Sequence, residues 1–255
     1  MSVFRILPFM FSKKWILATL LVLLGAALCV RLGIWQLDRL DQRRVFNAHF
    51  TSMLDLPALD ISAGAPADID EMEYRAVTAR GTYDFVNQVA IRNQYYNGIY
   101  GFDLLTPLRL ADGTAVWVDR GWIGADGADS PGGWTRFDGP EQVEVQGLIR
   151  LGQAEGLFGG LADPTLTPSQ TRLDFWNFIN PDRLAKQLPY PILSVYIQQT
   201  TPQTDSSLPI PHPTEVEITE GPHMGYALQW FSFAAILVIG YPFYLRKQET
   251  ETVSK

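Results

Sequence analysis

A single cysteine, Cys29, in 255 residues excludes a disulfide framework and any CxxC metal or redox site, and with them copper delivery through paired thiolates. Histidine is almost as scarce: His49, His212 and His223 are the three, and none stands at metal-ligand spacing from another. No serine lies in a GxSxG frame, HExxH is absent, and no glycine-rich loop precedes a helix to cradle phosphate, so the chain offers no familiar catalytic frame and is read as a non-enzyme. Cations are in the minority too. Residues 36–221 hold 25 acidic and 13 basic side chains, a net of −12, which argues against a nucleic-acid partner.

The 47% of hydrophobic residues are blocked rather than spread. Residues 15–30, WILATLLVLLGAALCV, carry no charge, and LGIWQL continues the run beyond Arg31, which can snorkel outward. Trp15 and Trp35 are 20 residues apart, on a helix about 30 Å, so each places an aromatic ring at one face of a bilayer. Residues 224–245, MGYALQWFSFAAILVIGYPFYL, form a second charge-free run of 22, with Pro242 near an end where the helix is expected to finish. Arg5, Lys13 and Lys14 precede the first run, and Arg246 and Lys247 follow the second, which predicts that both termini are cytoplasmic. The expected organisation is a cytoplasmic N-terminus (1–14), a first transmembrane helix (15–35), an extracytoplasmic domain (36–222), a second transmembrane helix (223–245) and a cytoplasmic C-terminus (246–255). The first run is long and lacks a small-residue cleavage site, which disfavours a signal peptide, and Leu28 spoils a lipoprotein box at Cys29. The short stretch before Trp15 lacks an amphipathic, Arg-rich transit sequence, pointing to a bacterial plasma membrane over a mitochondrial one.

After the first run, LDRLDQRRVFNAHF keeps Leu37, Leu40 and Phe46 among charges, predicting a helix that runs on until Leu56-Pro57, followed by a linking loop over residues 60–70. From Tyr74 the period changes to two. YRAVTARGTY, QVAIRNQYY, FDLLTPLRL, AVWVDRGWIG, QVEVQGLIR and ILSVYIQQT read as strands, with one short helix over residues 181–188. Asp112-Gly113 predicts a type I′ hairpin turn. Residues 127–139 and 152–169 have the composition of exposed loops. The expected fold is a membrane protein with two transmembrane helices flanking a mainly β (α+β) extracytoplasmic domain, built as an antiparallel sheet or a partly closed barrel.

GIWQLDRLDQR after the first span, RGTYDFVNQVAIRNQ, GFDLLTPL, VWVDRGWIG, and HMGYALQWFSFA opening the second span occur in one order across most of the chain. Together they resemble the surfeit locus protein 1 family of cytochrome c oxidase assembly factors. Two positions depart from the family pattern: Asp119 stands where Asn is usual before Arg-Gly, and Gly124 where Pro commonly follows the aromatic; both are read as turn-level differences. The resemblance implies a non-enzymatic role in maturing the haem a-containing catalytic subunit of a terminal oxidase, and for bacterial members the transient binding of haem a itself. It implies as partners that subunit, the lipid bilayer and the enzyme that synthesises haem a.

A haem site needs an axial ligand, an apolar slot and cations for the propionates. The family's proposed ligating pattern, His-x-x-Tyr at the opening of the second span, falls on His223 and Tyr226, with Ala227, Trp230 and Ala234 at helical spacing beneath. The competing reading is an interfacial histidine that only caps the helix. At the matching level of the first span stand Trp35, Gln36, Arg39 and Arg43. The arginines are candidates for propionates or for membrane-surface anchoring beside Asp38 and Asp41, and Trp35 and Gln36 for haem contact or packing between the spans, Gln36 bonding across to the second helix. Arg120-Gly121-Trp122 resembles the family's most recognisable motif in the soluble domain and is read as structural, Arg120 pairing with an acid of the same sheet. Gly81 and Gly101 are read as places where a side chain would not fit. His49 and His212 are assigned to surface or loop. A scaffold that holds an oxidase subunit without touching cofactor is the main alternative function, and a membrane-anchored hydrolase or sensor the next.

Overall fold

A computed structural model describes residues 10–153, 162–168, 170–200, 208–213 and 218–253. Arg5, part of the loop expected at 152–169, and the last two residues lie outside the described residues. In chain order the elements are α1 (Ile16–Leu54), β1 (Leu59–Asp60), β2 (Ala76–Tyr83), β3 (Val89–Tyr96), β4 (Ile99–Arg109), β5 (Ala115–Gly124), β6 (Gln142–Leu151), β7 (Phe175–Trp176), α2 (Pro181–Leu184), β8 (Ile192–Gln199) and α3 (His223–Val253). The chain divides into a helical unit, Met1–His49 with Glu217–Lys255, and a β unit, Phe50–Val216.

In the helical unit α1 and α3 lie antiparallel. Trp15 meets Tyr244 edge to face, the Thr19 and Tyr241 hydroxyls are 2.8 Å apart, Gly33 lies under the Phe231 ring, and His223 reaches Gln36. Small residues face the contact: Ala26, Ala227 and Ala234 are buried, and a Cβ on Gly33 would come within 2.6 Å of Phe231. Leu17, Leu21, Leu24, Leu28, Leu228, Ile236, Ile239 and Phe243 all point outward and exposed. Leaving one such side chain in water forgoes about 1.5–3 kcal/mol, so the row as a whole demands an apolar surrounding. Both helices are long and apolar enough to cross a membrane. As expected, α1 continues well past its apolar stretch, to Leu54. The second helix does not finish near Pro242; it continues to Val253.

The six strand runs read from the sequence all form strands. Five of them, β2, β4, β5, β6 and β8, close into a barrel in the circuit β2-β6-β8-β5-β4, which returns to β2 through Thr82↔Arg109 and Tyr83↔Leu108. Every contact in the circuit is antiparallel except β5–β8, where Val118 faces Ile197 in a parallel pair. Taken in chain order the five strands pair 1-2-3-5-4-1, the Greek-key connectivity of an OB-type barrel. The expected sheet is therefore closed, and mixed rather than purely antiparallel. Opposite β5, the other edge of the long strand β4 serves two partners: its first half pairs with β3 across a two-residue turn at Asn97 (φ 50°) and Gly98 (φ 77°), and its end pairs with β2. Asp112-Gly113 is not the type I′ turn expected. Only Gly113 has positive φ, and the Asp112 carboxylate instead accepts from the Thr114 backbone N–H at 2.9 Å and from its hydroxyl.

Alternation along β5 explains why this strand is buried on both faces. Val116 and Val118 enter the barrel interior with Val77, Val145, Ile149 and Ile197, while Trp117 points outward and is covered by Trp176, Leu184 and their neighbours. Farther along, Phe102, Leu104 and Ile123 receive Trp134, which is 1% exposed and donates its indole N–H to the Ala128 carbonyl at 2.8 Å. Residues 127–139, expected to be an exposed loop, are thus tethered by a core side chain, because a tryptophan with a satisfied N–H gains more from burial than from water.

Candidate functional site

His223 opens α3, half-buried, and its Nδ1 lies 2.8 Å from the Oε1 of Gln36 on α1. A carboxamide oxygen only accepts, so Nδ1–H is the donor, and in the neutral imidazole tautomer that makes this bond the lone pair is on Nε2. The positive φ of Gly221 (66°) turns the chain immediately ahead of the helix, and a Cβ there would stand 3.5 Å from Nε2. Glycine leaves that approach clear. Tyr226 and Trp35 are exposed at 49% and 41%, and Trp230 is half-buried against Phe233. Arg39 donates to Gln42 and lies over the Trp35 ring, while Arg43 is drawn to the Thr219 carbonyl at 3.0 Å. Gln36 bonds across to the second helix, and its partner is the candidate ligand itself. His49 lies on α1, half-buried, rather than in a loop.

In the β unit the geometry corrects the reading of Arg120. Its guanidinium is buried, donates to Gln88 Oε1 and to the Phe137 carbonyl, and lies over the Tyr83 and Phe85 rings, with burial holding its pKa below the usual arginine value. Arg120 stands at a β-bulge. Across the β4–β5 ladder Asp103 faces Trp122 and Leu105 faces Asp119, so Arg120 and Gly121 together oppose the single residue Leu104. Consecutive residues point to opposite faces, which sends Asp119 outward and Arg120 to the far side. A Cβ on Gly121, at φ 110°, would strike the carbonyl of Ile210. Ile210 makes two backbone hydrogen bonds with Trp122, each 2.8 Å, on the edge that β8 has vacated. Gly81 and Gly101 similarly admit the Arg109 and Ile123 carbonyls.

This docking carries His212 to the barrel wall. Its Nε2 lies 2.7 Å from Asp103 Oδ2, and the ligand atoms of Asp103, Asp119 and His212 all fall within 4.8 Å of one another. Asp119 also accepts from the Gly121 N–H at 3.0 Å. Burial, and then the charge of Asp103, push the Asp119 carboxyl up to about 7. The hydrogen bond with Asp103 raises His212 to about 9 against the opposing effect of burial. The cluster opens on a cavity of about 220 Å³ between the barrel wall and the segments bearing Gln153 and Asn177. The sequence pattern does not reveal this cluster: it places His212 at the surface or in a loop and reads Asp119 as a turn-level difference. The available signal is a lone carboxylate inside each of two mainly apolar strands, FDLLTPL and VWVDRGW.

The SURF1 family model matches residues 23–235. The chain belongs to the SURF1 family. Among similar proteins, "Surfeit locus protein 1" of Arabidopsis thaliana is 22% identical, covering 88% of this chain and 76% of its own length. A SURF1-like protein of Monosiga brevicollis is 25% identical over 85% and 83%. An uncharacterised SURF1-like protein of Mycobacterium bovis is 26% identical over 92% and 84%, and a SURF1-like protein of Rickettsia conorii 23% over 89% and 90%. The family is one of cytochrome c oxidase assembly, generally not catalytic, and the matched span takes in both the His223 helix pair and the barrel.

Proposed function

We propose that this protein handles haem a during maturation of the catalytic subunit of a haem-copper terminal oxidase, with His223 Nε2 as the axial ligand. The observation that carries the reading is the hydrogen bond from His223 Nδ1–H to Gln36. It fixes the tautomer that leaves Nε2 free to ligate and orients the ring, as an outer partner does for a metal-bound imidazole. Haem a, when bound, would supply an iron centre that the neutral imidazole of His223 would hold through Nε2. Tyr226 and Trp35 offer exposed aromatic surface beside it, Trp230 lies one helical turn deeper, and Arg39 is placed for a propionate, its present Gln42 partner being exposed and exchangeable. Arg43 holds the turn before α3 through the Thr219 carbonyl. An open rather than enclosed face suits a cargo that is passed on.

The protein works, in this reading, as a two-pass component of a bacterial plasma membrane with the barrel outside and both termini cytoplasmic. The test is the visible spectrum of detergent-purified protein co-produced with haem a synthesis. Wild type carries haem a; His223→Ala loses it, and Gln36→Ala weakens its retention by about 10–100-fold. Stoichiometric haem a in His223→Ala overturns the ligand assignment. A scaffold role is favoured instead by one feature, the exposed aromatic tip of the β3–β4 hairpin with Tyr95, Ile99 and Tyr100 at 65%, 60% and 39%. Capture of the oxidase subunit by wild type that carries no haem a decides for that reading.

A further inference from the structure

Asp103 is 3% exposed and its Oδ1 meets no hydrogen-bond partner among the described residues. An unsatisfied buried carboxylate oxygen is costly, and a bound ion is one of the few things that satisfies it. The same carboxylate lines the 220 Å³ cavity. We propose that Asp103, Asp119 and His212 form a divalent-cation site, of the class that takes Zn²⁺, in the wall of the barrel.

The donors are two carboxylates and one imidazole with no thiolate, a set suited to a borderline first-row cation and not to Cu(I). A tetrahedral Zn²⁺ with bonds of about 2.1 Å separates its donors by about 3.4 Å. The His212–Asp103 pair at 2.7 Å lies inside that spacing and the whole set within 4.8 Å, so side-chain rotation alone gathers them. The cation takes the place of the proton shared by His212 and Asp103 and of any proton held by Asp119, all released to solvent, and its positive charge offsets the two carboxylates. Bound through both oxygens, the Asp103 carboxylate offers Oδ1 as well as Oδ2 to the cation, and the unbonded oxygen gains its partner. A fourth position opens into the cavity beside Gln153 and Asn177, with room for water or a small anion. Bound there, the cation clamps the segment around Ile210 and His212 to β5, adding to the two backbone bonds at Trp122. The site is built wholly within the β unit and does not rest on the haem a reading.

The experiment uses full-length, tag-free protein in detergent, stripped with chelator and titrated with Zn²⁺ alone by calorimetry, with melting temperature as a second readout. The expected result is one Zn²⁺ per chain in wild type and a higher melting temperature on binding. Asp119→Asn, nearly isosteric, weakens binding by more than about a hundredfold and loses the thermal shift, since removing a ligand costs at least what removing an outer partner does. His212→Gln does the same, and His223→Ala binds as wild type. Wild type that takes up no Zn²⁺, or Asp119→Asn and His212→Gln that bind and stabilise as wild type does, overturns the proposal. Should either variant fail to fold, the wild-type stoichiometry and thermal shift and the other variant decide.

Discussion

At Gly121 a hydrogen in place of a side chain lets the Ile210 carbonyl seat against β5, and one contact of that kind decides where a whole segment lies. Any L side chain at φ 110° is strained, and its Cβ collides with fixed backbone. Gly121→Ala is therefore expected to cost about 3 kcal/mol or more, read as a lower midpoint in chemical denaturation, with Zn²⁺ stabilisation lost because His212 is no longer delivered. Gly121 was legible in the sequence as part of a motif, but its consequence was not. Nothing in a linear pattern links Trp122 to Ile210, or Asp103 to His212 at a separation of 109 residues. His223 and Gln36 lie 187 residues apart, yet their pairing was anticipated in outline, because two antiparallel spans bring their outer ends to one level.

Strands were easier to read than the connections between them. All six strand runs announced themselves through alternation and β-branched residues, whereas closure of the barrel depends on the two-residue ladder at Thr82 and Tyr83, which no pattern marks. Two dipeptides of one hairpin type behaved differently: Asn97-Gly98 makes the two-residue turn with both φ values positive, while the Asp112 side chain prefers to cap Thr114 and yields a longer loop. Residues 127–139 misled for a similar reason. Their glycines, Pro131 and acids describe the path of the segment, and Trp134 describes where it is anchored. Trp134→Ala is expected to destabilise the β unit by about 3–5 kcal/mol, as large-to-small changes in a closed core do, measurable as a fall in melting temperature.

Across the whole molecule, the membrane reading makes a prediction that the single cysteine renders clean. In a Cys29→Ser background, a cysteine placed at Val86, 84% exposed on the β unit, is expected to react with a membrane-impermeant maleimide in intact cells. One placed at Lys247, exposed near the end of α3, reacts only after the membrane is opened. The reverse pattern inverts the topology. The expected order rests on the cations that flank the two apolar runs, and the labelling tests it independently.

The helix pair carries a polar tie near each end of its dry contact, Thr19 with Tyr241 and Gln36 with His223. Seventeen residues of α1 separate the ties, a rise of about 26 Å at 1.5 Å per residue. The two ties are thus set slightly closer together than the faces of an average hydrocarbon layer of about 30 Å. In a bilayer of matching thickness both ties reach the headgroup level together. A thicker bilayer must thin around the helix pair or pull one tie below the surface, so acyl-chain length sets the depth at which the His223–Gln36 tie sits.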